Sequence, residues 1–80
     1  MKVKVSISRK DGLSDPEGVE TARALADLGY EAVSEVHFGR IIMLEVADTD
    51  PAGALLAVTE MCERLLANPV IEDYTVEVVG

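Results

Sequence analysis

Residues 61–74 read MCERLLANPVIEDY, and this stretch decides how the C-terminal half of the chain is built. Cys62 and Leu65 continue an apolar stripe that begins with Leu55 and Val58 at helical spacing, flanked by Met61 and Leu66. Asn68-Pro69 ends that helix, because the residue before a proline is driven out of the α region. Val70 to Val79 then reads as a strand, with Tyr74, Val76 and Val78 opposing Thr75, Glu77 and Val79. Upstream, Asp48-Thr49-Asp50-Pro51 places an acidic cap before a proline at the first helical position, so the helix spans Ala52 to Leu66. Glu60 and Arg64 form an i,i+4 pair on its outer side, a contribution of about 0.3 kcal/mol.

The N-terminal half repeats the plan. From Met1 to Arg9 the chain alternates, Val3, Val5 and Ile7 pointing one way and Lys2, Lys4, Ser6 and Ser8 the other. That is a strand with one buried face. Lys10-Asp11-Gly12 breaks it, and Asp15-Pro16-Glu17 opens a helix running to about Leu28. Val19, Ala22, Leu25 and Leu28 form its inner side, and Gly29 closes it. The inner residues are small, which predicts close approach to whatever the helix covers.

Val33 to Phe38 and Ile41 to Val46 read as two further strands, with Gly39-Arg40 as a tight hairpin turn between them. In the later strand Ile42, Leu44 and Val46 line one face, while Ile41 and Met43 put large apolar groups on the other. The order is β-α-β-β-α-β, an α+β chain with both helices on one face of an antiparallel sheet. Three or four strands per chain are expected, and a long strand swung out to pair with a partner chain would alter the count. Covered on one side only, the sheet leaves Ile41 and Met43 in water, which points to association through its open face or its edges.

Eighty residues make one domain that buries roughly 60% of its unfolded surface, a thin stability margin. One cysteine (Cys62) excludes an internal disulfide, and with one histidine (His37) it cannot supply a four-ligand zinc site. Association is the remaining supplement. A net charge of -8 repels phosphate backbones and anionic lipid, so nucleic acid and membrane are disfavoured as partners. The alternating N-terminus is no signal peptide, and the expected location is cytoplasmic.

Residues with chemical potential have plain explanations. His37 shares a strand face with Glu35, yet a general base also needs an oriented nucleophile, so an exposed strand histidine is the simpler reading. Cys62 lies on the apolar stripe among Val58, Met61 and Leu65, where burial makes a thiol inert. Asp48/Asp50 and Glu72/Asp73 lack the ligand number of a calcium loop, and Asp11-Gly12 and Gly39-Arg40 match no phosphate-binding fingerprint. The chain carries no catalytic constellation, no cofactor site and no metal site of its own.

The KVKVSIS strand, Leu13-Ser14-Asp15-Pro16-Glu17-Gly18, Val36-His37-Phe38 followed by Gly39-Arg40, and above all Met61 to Tyr74 resemble the PurS family, over the whole chain and in order. PurS is the small subunit of phosphoribosylformylglycinamidine synthase in purine biosynthesis. The resemblance implies a single PurS-like domain over residues 1–80, related to ferredoxin-like folds and assembling through its strands. It implies a subunit of an ATP- and glutamine-dependent carbon–nitrogen ligase, EC 6.3.5.3. A glutaminase subunit releases ammonia, and a large synthetase subunit uses it with ATP and magnesium to convert formylglycinamide ribonucleotide to its amidine. The PurS-like chain is then a non-catalytic bridge that assists ammonia transfer, and it pairs with itself as a dimer or tetramer. Exposed, irregular positions are the expected partner contacts: Asp15, Gly18, Arg40, Asn68 and Tyr74. Arg40 stands out because a charge at a turn tip has no evident folding role. The alternative of another class is a small regulatory domain of the ACT type, which shares the element order and binds amino acids.

Overall fold

The computed structural model describes residues 1–47 and 50–80, so Asp48 and Thr49, half of the expected second cap, lie outside the described residues. Five elements and one irregular turn follow in order: β1 (Lys2–Arg9), α1 (Pro16–Asp27), β2 (Gly39–Glu45), α2 (Pro51–Met61), a π turn (Cys62–Leu66) and β3 (Glu72–Val78). The sheet order is β2-β1-β3, antiparallel throughout. Register puts Val3 between Leu44 and Val78, Val5 between Ile42 and Val76, and Ile7 between Arg40 and Tyr74. The alternation of β1 therefore delivers Val3, Val5 and Ile7 to one face, where they form the core with Ala54, Val58, Cys62 and Ala67. The α+β class, the two helices and the antiparallel sheet are as the sequence predicts.

Both helix starts follow their local chemistry. Asp15 Oδ1 accepts from Gly18 N at 2.9 Å, and Asp50 Oδ1 accepts from Ala52 N at 3.2 Å. At the far end of α1, Tyr30 N donates to Leu25 O at 2.9 Å and Gly29 N donates to Ala26 O at 3.0 Å, while Gly29 takes φ +99°. This is the two-bond helix stop that a left-handed residue permits.

Four details depart from expectation. Among the described residues Val33–Phe38 has no ladder partner, and α1 contributes none to the core. Among the described residues α2 and the π turn after it cover the sheet, and α1 and the segment after it leave it as an arm. The Cα radius of gyration is accordingly 16.1 Å, against about 12 Å for a compact chain of this length. Val19 and Leu28, expected on an inner helix side, are exposed. The cause is at the base of the arm, where α1 is tied to Val36–Phe38 instead of to the sheet.

The third departure is Gly39-Arg40, which forms no hairpin turn but opens β2, Gly39 pairing with Ser8 and Arg40 with Ile7. Gly39 is needed for closeness: a Cβ there would stand 2.5 Å from the Ile7 carbonyl oxygen. The last is Leu65, which is 82% exposed, whereas Leu66 packs against the core and Ala67 is buried. The π turn makes the helix wider by about one residue per turn, so the inner phase passes from Cys62 to Leu66 and Ala67.

Candidate partner-contact site

Four of the five sequence-predicted contact residues fall in two hydrogen-bonded clusters, Asp15 with Gly18 and Arg40 with Asn68, and Tyr74 is bonded separately beside the second. In the first, Asp15 uses both oxygens, Oδ1 for Gly18 N and Oδ2 for Phe38 N at 2.8 Å. These two backbone donors, Phe38 foremost, hold its carboxyl below the usual carboxylate range. Gly18 lies so close to Val36 that any side chain would collide with the Val36 carbonyl oxygen. Asp15 and Gly18 are buried within the chain, and Asp15 borders the concavity between the two clusters.

The second cluster centres on Glu72. Arg40 Nη1 meets Glu72 Oε2 at 2.7 Å and Nη2 meets Oε1 at 3.2 Å, while Nη2 also donates to the Leu66 carbonyl at 3.0 Å. Asn68 N donates to Glu72 Oε1 at 2.8 Å, and Asn68 Oδ1 accepts from Val70 N at 3.1 Å. The Arg40 guanidinium first, and the Asn68 amide second, keep the Glu72 carboxyl below its ordinary range. Arg40 thus has a folding role the sequence reading denied it, satisfying a carbonyl at the helix end and clamping β2 to β3. Beside this, Tyr74 Oη donates to Glu63 Oε2 at 2.6 Å, which pushes the phenol up to about 12.

Between the clusters lies an open concavity of about 350 Å³ bordered by Arg9, Asp15, Phe38, Arg40 and Glu72. Asp15 and Arg40 therefore share one hollow; Gly18 stands behind it. Glu72 and Glu63 were missed as organisers. Their partners lie on other elements, and only the Glu-after-break position of Glu72 gives a local signal. On the opposite sheet face Ile41 and Met43 are exposed as expected, 63% and 54%. Glu35 and His37 do meet, at 3.2 Å, with both side chains in solvent. Cys62 is fully buried, and burial pushes its thiol up.

Residues 2–80 match the family model described as PurS, phosphoribosylformylglycinamidine (FGAM) synthase. The chain belongs to the PurS family. Among its relatives, the PurS subunit of Bacillus subtilis is 44% identical over 77 residues, 96% of this chain and 90% of the relative. The solved B. subtilis PurS structure aligns with a TM-score of 0.84 at 43% identity, covering 99% of this chain and 98% of that one. A chain in the solved PurLQS assembly of Thermotoga maritima aligns at TM-score 0.87 and 31% identity, covering 98% and 95%. A separate T. maritima PurS structure, at TM-score 0.87 and 31% identity, carries EC 6.3.5.3. This PurS-family chain is accordingly a subunit of FGAM synthase in purine biosynthesis. The ACT-type alternative gains nothing from these likenesses.

Proposed function

We propose that this chain is the adaptor of the FGAM synthase complex, bridging a glutaminase subunit and a large synthetase subunit. It assists the passage of ammonia between them, while ATP and magnesium act on the large subunit. One observation carries the reading furthest. The chain exposes 5697 Å², whereas a compact protein of its mass exposes about 4,700 Å². The surplus is about what one partner contributes to a stable protein interface, roughly 800 Å². Ammonia transfer needs a closed path from which bulk water is kept out, and an elongated chain with spare apolar surface suits the walls of such a path. The full-length likeness to a chain of PurLQS supports the same reading.

Association with its own copies belongs to this proposal. Ile41 and Met43 on the open sheet face, the unpaired edge of β2, and the ladderless Val33–Phe38 that leads into it support pairing into a dimer or tetramer. Arg40, Asn68 and Tyr74 rim the surface offered to the larger subunits, and Asp15 and Gly18 shape it from beneath. The cytosol is its place of work.

Reconstitution tests the adaptor role. FGAM formation is measured with the glutaminase and large subunits, with and without this chain, from glutamine and from ammonium. The expected result is loss of glutamine-dependent turnover without the chain, with ammonium-dependent turnover retained. Full glutamine-dependent turnover in its absence would overturn the proposal.

A further inference from the structure

We infer that Asp15 is a lock that closes the base of the arm and fixes the direction in which α1 leaves the sheet. The arm is residues 15–38, and the one carboxylate grips both of its ends. Oδ1 holds Gly18 N at 2.9 Å, in the first turn of α1, and Oδ2 holds Phe38 N at 2.8 Å, one residue before β2 begins. From Gly39 onward the chain is laddered to β1, so the Phe38 bond ties α1 to the fixed sheet.

Three further observations make this a lock and more than a helix cap. A cap needs one oxygen, and the second is spent on a residue 23 positions away. Asp15 is the one buried polar or charged residue among the described residues, 9% exposed, at the foot of an element that is otherwise open to solvent. The closeness of Gly18 to the Val36 carbonyl leaves the first turn of α1 and the segment before β2 no room to slide past each other. Beyond the base, little holds the arm: Gly18 is the one buried residue of α1, and Leu28 and Tyr30 are 74% and 61% exposed.

Opening the lock therefore frees the arm while leaving in place the core side chains of Val3, Val5, Val58 and Cys62, none of which bonds to Asp15. An arm fixed in advance spares any partner the cost of ordering it on association. Asp15 is a positioning residue in this sense: it acts on the direction of α1 through the backbone. The inference stands on this chain's geometry alone and is independent of the adaptor reading.

Hydrogen exchange on the full chain tests it, with all variants matched for sedimentation behaviour. Asp15→Ser keeps one oxygen for the cap and has none for Phe38; Asp15→Ala removes both bonds. In both, amides of α1 and Phe38 should exchange about tenfold faster or more, while those of β1 and α2 stay within about twofold of the parent. Retention of full arm protection in Asp15→Ser would make Asp15 a cap and nothing else. Equal acceleration of arm and core would make it a general stabiliser. Either result overturns the lock.

Discussion

Arg40 and Glu72 meet in a two-bond fork across the sheet's core face, one at the start of β2 and the other at the start of β3, with β1 between them. A guanidinium matches a carboxylate in this planar manner, and a lysine does not. Arg40→Ala should lower stability by about 1 kcal/mol, and Arg40→Lys should recover little of it. Chemical denaturation of the two variants checks this. If Arg40→Ala also assembles normally and supports full glutamine-dependent turnover, Arg40 is no partner contact.

Gly18→Ala inverts a familiar rule. Alanine for glycine inside a helix ordinarily stabilises, by about 0.4–1 kcal/mol. Here the new methyl group collides with the Val36 carbonyl, which is backbone and cannot turn aside. The expected outcome is destabilisation of about 1–3 kcal/mol, read from thermal unfolding. A stabilised variant would mean the arm's base is looser than described.

Acid should weaken the fold through two carboxyls. Asp15 and Glu72 are both held below the usual range in the folded chain. Their stabilisation is present above the unfolded-state value, near 4, and is lost as pH falls through the lower folded-state values. Urea unfolding across a pH series should show this decline, with Glu72→Gln giving a shallower slope. An unchanged slope in that variant removes Glu72 from the account.

Alkali probes Tyr74. Its folded-state value is raised to about 12 by the bond to Glu63, so that bond's contribution is complete below about 10 and lost as pH rises through about 12. Tyrosinate absorbance should contain a late component that vanishes in Tyr74→Phe. Persistence of the late component would assign it elsewhere.

Cys62 should behave as a packing residue. Cys62→Ser places a hydroxyl in an apolar site, a loss of about 1–3 kcal/mol, and thiol reagents should label the parent only when it unfolds. Rapid labelling of the folded chain would contradict its burial.

Local patterns carried much of this structure. The alternation of Val3, Val5 and Ile7, both acidic caps, the Gly29 stop and the Asn68-Pro69 break are all decided by near neighbours. What depends on distant partners was illegible. The stripe of α1 says that Val19 and Leu28 suit an apolar neighbour, but not on which chain that neighbour lies. Gly39 looked like a turn because glycine serves both positive φ and close approach, and only the position of the Ile7 carbonyl separates the two. Leu65 was assigned inward because the spacing of helical side chains gives no warning of a π turn. Sequence gives Asp15 and Asn68 roles at helix ends and leaves only Arg40 without one, whereas Arg40, Asn68 and Tyr74 each hold a carboxylate that another element supplies.

The molecule measures 49 × 26 × 14 Å and has seven buried apolar residues among those described. Such a strip has hardly any interior. In most small proteins the outer positions absorb sequence change silently, and the inner ones enforce the fold. Here the outer positions outnumber the inner heavily, and on the adaptor reading proposed above many of them face neighbouring molecules. Random substitution in this chain should therefore uncouple assemblies far more often than it unfolds the protein, leaving variants that express well and fail in company.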